Sequence, residues 1–149
     1  MKSGEILRLA RDVVRPFYER KSHLAQEWIA QFFDDGLDYH VHVSEGALFL
    51  WLWFRGMKIS AETLYSRMKD RGVLIVPGHY FGVGAAEDWR HGHECIRLSF
   101  AMDETSMREG IAILAQEVAK GIRDCSVGDA FQARSPSYDA EALRNSSIR

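Results

Sequence analysis

From Ala47 to Phe54 the chain is apolar at every position: Ala47-Leu48-Phe49-Leu50-Trp51-Leu52-Trp53-Phe54. At a period of two, Leu48, Leu50, Leu52 and Phe54 share one face, and Ala47, Phe49, Trp51 and Trp53 share the other. A strand with one wet face alternates apolar with polar residues. This run predicts instead a central strand buried on both faces. It is much too short to cross a bilayer as a helix. The rest of the chain supplies cover for only one of the two apolar faces.

Upstream, Ile6, Ala10, Val13, Phe17, Leu24, Trp28 and Phe32 recur at helical steps. They predict one buried face of a long helix that starts near Ser3 as N-cap and ends near Gly36. Pro16 should kink or split it. At ~1.5 Å per residue such an element is roughly 45 Å long, and a helix that outruns its domain packs on, or leads in from, something else. Tyr39 to Val43 alternates as a half-exposed strand, and Ser44-Glu45-Gly46 turns it into the apolar run as a hairpin. Ser60 caps a helix that buries Ala61, Leu64, Tyr65 and Met68 and ends at Gly72. Val73 to Val76 reads as a short buried strand stopped by Pro77-Gly78. His79 to His93 reads as a long loop, of a length that is often functional. Cys95 to Ala101 is a strand with Ile96, Leu98 and Phe100 on one face and Cys95, Arg97 and Ser99 on the other. Asp103 or Thr105 then caps a helix whose buried stripe is Met107, Ile111, Leu114, Val118 and Ile122.

These elements predict an α+β (alpha-beta) domain with a small mixed or antiparallel sheet. Its helices pack mainly on one face, and a long kinked helix precedes it. The other face, with Arg97, Ser99 and one side of the apolar strand, is expected to be a docking surface. The domain is expected to cover residues 5–123, with 5–35 as the connecting helix. From Asp124 the periodicity fails, which predicts a mobile tail with a helical turn near Asp139–Arg144. With 149 residues, 46% hydrophobic and 27% charged, the chain has room for a real core. A net charge of −2 gives no general attraction to nucleic acid or to an anionic membrane. Cys95 and Cys125 lack the spacing of a zinc or redox motif, and no signal peptide is visible, so a cytoplasmic location is expected.

Little of the chain has the pattern of a catalytic site. His40/His42 and His91/His93 are His-x-His pairs, and on a strand such a pair shares a face and can chelate a metal. The first pair, with Glu45 and Gly46, has cupin-like spacing, but cupins are all-β barrels and this chain has helices. Both pairs are read as surface or loop histidines, and no metal site is expected. Gly78, Gly82 and Gly84 are not followed by a helix start at phosphate-loop spacing. Ser44 and Ser99 have no nucleophile elbow, and no catalytic residue is assigned. Arg97 is the candidate binding residue: a strand guanidinium beside small polar side chains can hold a carboxylate through two parallel hydrogen bonds.

Three stretches carry a resemblance. Glu45 to Phe54, the run from Leu64 to His79 with Arg67-Met68-Lys69, Arg71-Gly72-Val73-Leu74 and Val76-Pro77-Gly78, and Cys95-Ile96-Arg97-Leu98-Ser99 resemble the small domain of valine–pyruvate aminotransferases. Leu7-Arg8-Leu9 and Pro16-Phe17-Tyr18 are similar to that family's long connecting helix. The resemblance runs from about Glu5 to Gly121, and its Pro-Gly…Arg-Leu-Ser pattern belongs to the wider fold-type I aminotransferases.

The resemblance implies a C-terminal piece of an enzyme that transfers an amino group between valine and pyruvate. Pyridoxal phosphate would be the cofactor in the complete enzyme, with none expected for this chain alone. It implies that Arg97 holds the α-carboxylate of the amino-acid or keto-acid substrate. It also implies a partner large domain bearing the cofactor lysine, and a homodimer in the complete enzyme. Lys2, Lys21, Lys58, Lys69 and Lys120 are the lysines here, and none sits in the family's serine-rich cofactor motif, so none takes the cofactor role. The alternative is a binding or interaction module that kept the fold without the chemistry.

Overall fold

A computed structural model describes residues 3–82, 84 and 89–124. The expected tail beyond Asp124, with its helical turn, lies outside the described residues. The elements are α1 (Ser3–Leu9), a π-helical turn (Ala10–Val14), α2 (Arg15–Phe32), β1 (Tyr39–Val41), β2 (Phe49–Phe54), α3 (Ala61–Asp70) and β3 (Val76–Pro77). A 3-10 turn (Gly78–Phe81), α4 (Arg90–Glu94), β4 (Cys95–Ser99) and α5 (Glu104–Asp124) follow among the described residues. The sheet is antiparallel throughout, in the order β1-β2-β4-β3.

Pro16 interrupts the long helix through the π turn before it. The Arg15 N–H reaches back to the Ala10 carbonyl, five residues away. Proline has no N–H, and its ring would clash with the carbonyl four residues earlier, so the widened turn accommodates it. The buried stripe differs from the expected one. Ile6, Val13 and Phe17 are exposed, as are Leu7, Leu9 and Val14. Burial begins only at Lys21, Ser22, Ala25, Ile29 and Phe33, with Leu24, Trp28 and Phe32 at the margin. Periodicity specifies that a helix has an apolar face; it does not specify that the domain is long enough to cover it. The Lys21 ammonium is accommodated by donating to the carbonyls of Ala101 and Met102.

β2 has two unlike faces. Leu50, Leu52 and Phe54 are buried among Ile96, Leu98 and Phe100 of β4 and its extension, and the buried sides of α2, α3 and α5 close this core. On the opposite face Phe49 is exposed and Trp51 and Trp53 are half-buried. Burial on both faces therefore does not hold within this chain; single-face cover does. β2 also starts later than expected, because Ala47 takes a positive φ of 64° that ends the extended run.

Ser60 caps α3 as expected, its Oγ accepting the Thr63 N–H at 3.1 Å. Asp103, rather than Thr105, caps α5 by accepting the Ser106 N–H at 2.9 Å. Ile122 lies exposed beyond the end of that helix's buried stripe. The third strand is shorter and later than expected. Leu74 is exposed, and Pro77 belongs to the strand instead of stopping it. An edge strand tolerates the missing N–H of proline. Ser60→Ala should destabilise the domain by about 0.5–2 kcal/mol, the usual cost of a lost cap. Urea unfolding of the two proteins checks this, and unchanged midpoints would mean that solvent replaces the cap.

Candidate functional site

The face of the sheet away from the core carries His40 from β1, His42 just beyond it, Phe49, Trp51 and Trp53 from β2, and Cys95, Arg97 and Ser99 from β4. Strand register sets them side by side: His40 opposite Trp53, Trp53 opposite Cys95, Trp51 opposite Arg97, Phe49 opposite Ser99. The segment between β3 and β4 folds back over part of this face. It is not the continuous loop expected, because Gly78–Phe81 and Arg90–Glu94 are helical. Gly78 makes the return possible. A Cβ there would stand 2.7 Å from both the Cys95 Cβ and the Gly92 carbonyl oxygen, so only glycine fits. The return sets Phe81 edge-on to Trp51 at 5.4 Å and His91 edge-on to Trp53 at 4.8 Å.

Arg97 is half-buried, and its guanidinium carbon lies over the rings of Phe49 at 4.2 Å and Phe81 at 4.8 Å. Ring contacts of this kind fix the guanidinium plane. Among the described residues no carboxylate pairs with Arg97. The guanidinium is thus held against aromatic surface on both Phe49 and Phe81. Arg97 was legible from strand alternation; its aromatic supports were not. Phe81 reaches it through a loop whose path no periodicity encodes.

Glu94 ties together β2, the turn after it and α4. Its carboxylate is buried and accepts from Trp53 Nε1 at 2.9 Å, the Gly56 N–H at 3.2 Å and Arg90 Nε at 2.7 Å. Burial pushes its pKa up, but the Trp53 and Arg90 contacts and the Gly56 amide together bring it below the usual 4.5. The charged form is therefore favoured by folding. That stability is fully present above the unfolded value and is lost as pH falls through the depressed folded value. Thermal melts should show wild type ahead of Glu94→Gln at neutral pH, with the gap closing on acidification below pH 4.5. A gap independent of pH would mean that the carboxylate's charge contributes nothing. An open cleft of about 530 Å³ lies beside this carboxylate, lined by Asp38, Trp53, Arg55, Gly56, Arg90 and His91.

The His-x-His pairs do not act as pairs. His40 Nε2 contacts Arg55 at 2.7 Å and Asp38 at 3.2 Å. His42 turns instead to His91, with ring centroids 5.7 Å apart, and His91 Nε2 is 3.4 Å from the Cys95 thiol. His93 stacks on His79 at 4.8 Å, and His79 pairs with Glu62 at 3.0 Å. Three of the lysines are engaged elsewhere: Lys21 on the backbone carbonyls, Lys69 over Tyr65 and Lys120 on Glu117. Among the described residues no helix is long and apolar enough to cross a membrane.

The fold is that of a portion of the aminotransferases. Among curated proteins, the chain is 37% identical over 120 residues to valine–pyruvate aminotransferase of Escherichia coli (strain K12), a match spanning 80% of this chain and 28% of that protein. The crystal structure of valine-pyruvate aminotransferase AvtA from Salmonella typhimurium LT2 superposes with a TM-score of 0.74 at 39% identity, over 79% of this chain and 30% of that one. A putative amino-acid aminotransferase from Psychrobacter arcticum 273-4 gives a TM-score of 0.78 at 38% identity, over 82% and 28%. The sequence resemblance, and the α+β fold class expected from the order of elements, therefore hold. The chain spans less than a third of the length of the relatives it matches. No family model matches it.

Proposed function

We propose that this chain is the C-terminal small domain of a pyridoxal-phosphate aminotransferase acting on valine and pyruvate, and that Arg97 holds the substrate α-carboxylate. The observation that carries this reading is the half-buried guanidinium, oriented by Phe49 and Phe81 and with no carboxylate partner among the described residues, on the face the domain leaves open. Pyridoxal phosphate, when bound in the complete enzyme, supplies the electron sink and carries the amino group. The contribution of this chain is orientation: two parallel N–H donors hold the planar carboxylate and so fix the α-carbon relative to the cofactor. A large domain brings the lysine, the complete enzyme is a homodimer, and this chain by itself is inactive. The exposed apolar residues of α1 and the π turn, from Ile6 to Val14, suit a helix that runs on against that domain.

The test joins this chain to the cofactor-binding portion of the Escherichia coli relative, or coexpresses the two, and measures alanine and 2-oxoisovalerate formed from valine and pyruvate. Turnover by the joined protein, with neither piece active alone, is the expected result. A folded, cofactor-loaded hybrid without turnover would favour a binding module that kept only the fold.

A further inference from the structure

His42 is far in the chain from His91 and Cys95, which stand one helical turn apart, and the three come from separate elements, yet their ligand atoms all lie within 4.8 Å of one another. β1 pairing continues one residue past its end, where the His42 N–H bonds the Trp51 carbonyl at 2.9 Å. That places the His42 side chain on the open face. α4 carries His91 one turn ahead of Cys95, which brings Nε2 to 3.4 Å from Sγ. We propose that these three side chains form a binding site for a soft divalent cation of the zinc class.

The donor set has the chemistry of such a site. Two imidazoles and one thiolate suit zinc, with Zn–N of about 2.0–2.1 Å and Zn–S of about 2.3 Å. At tetrahedral angles these bond lengths set neighbouring donors roughly 3.5 Å apart. The His91–Cys95 pair already stands at that separation. His42 is exposed and closes the remaining gap by turning its ring. Three protein donors leave a fourth position for water or another small ligand. The walls are aromatic: His91 packs on Trp53 at 4.8 Å and His42 stands edge-on to Trp51 at 6.4 Å. Such a rim lowers the local polarity and strengthens metal–ligand attraction.

Ligation requires the thiolate, and this sets a readout. Partial burial of the ring, then the neighbouring charges of His91 and His40, lowers the His42 pKa. Burial and the Glu94 charge push the Cys95 thiol up to about 11 despite a lowering contact with Trp51. Binding at neutral pH therefore exchanges the Sγ–H proton for the metal and releases that proton to solvent. Glu62, His79 and His93 form a second cluster, but it lacks a thiol and already contains the His79–Glu62 contact.

The test uses the full reduced chain with Cys125→Ser, so that any thiolate signal arises at Cys95. Cobalt(II) chloride is added first, then zinc(II) chloride as competitor. One equivalent of cobalt should give a thiolate-to-cobalt band in the near ultraviolet and intense visible bands of a four-coordinate ion, and zinc should abolish both. Zinc calorimetry in buffers of different ionisation enthalpy should report close to one proton released per ion. Cys95→Ser should remove the thiolate band. His42→Ala, at an exposed position that the fold tolerates, should weaken zinc binding by more than the roughly 10–100-fold typical of losing an outer-shell partner. Circular dichroism confirms that each variant is folded. Cobalt spectra without a thiolate band would overturn the proposal. So would zinc affinity unchanged in His42→Ala, or affinity lost in His79→Ala instead, which would place the ion at the other cluster.

Discussion

Arg97→Ala, in an active assembly that contains this chain, is expected to lower kcat/KM for both valine and pyruvate by roughly 10- to 150-fold. That is the scale of one charge-assisted contact worth about 1.5–3 kcal/mol. Both half-reactions should suffer, because amino acid and keto acid present the same carboxylate. Arg97→Lys should restore only part of the loss, since an ammonium is a point charge without the planar two-donor edge. The fold should survive either change. Arg97 is on the open face beside Ser99, away from the buried row of Ile96, Leu98 and Phe100. Its cation–π contacts with Phe49 and Phe81 are worth only about 0.5–1 kcal/mol each at such a site. Kinetics and melting temperature should therefore be measured on the same variant. Normal kinetics with a lowered melting temperature would reduce Arg97 to a support for its two aromatic neighbours.

The second large effect separates the two faces of β2. Leu52 is 0% exposed, in the centre of the core, and Leu52→Ala should cost about 2–5 kcal/mol through lost burial and the cavity left behind. Trp51, its neighbour in sequence, loses a much larger side chain in Trp51→Ala. It is only half-buried, and in the free chain that substitution should cost clearly less than the Leu52 change. Urea unfolding of the two variants tests this ordering. Equal or reversed costs would mean that the open face is as tightly packed as the core. Within a complete aminotransferase the ordering is expected to narrow, because a docked domain would bury Trp51 as well.

What the sequence determined by itself is the set of features encoded locally. The alternation of Tyr39 and Val41 against His40 and His42 set the faces of β1, and that of Ile96, Leu98 and Phe100 against Arg97 set those of β4. Ser60 and Gly72 bounded α3, and Met107, Ile111, Leu114 and Val118 marked the inner side of α5. Arg97 on an open sheet face followed from the same alternation. These features depend on neighbours within one helical turn or one strand step, so a linear pattern contains them.

Tertiary structure decided what depends on groups distant in sequence. Whether an apolar stripe is covered depends on the length of the body beneath it, so Ile6, Val13 and Phe17 look like core residues in the pattern and stand in solvent. Val76 and Pro77 form an edge strand because β4 offers them a partner, not because of their own propensity. The two His-x-His pairs were re-sorted, His42 to His91 and Cys95 and His93 to His79. Apart from Cys95 of β4, their partners come from the folded-back segment between β3 and β4. Gly78 determines that route, as the one residue small enough to let the backbone pass against Cys95 and Gly92, and a contact of that kind has no period to read.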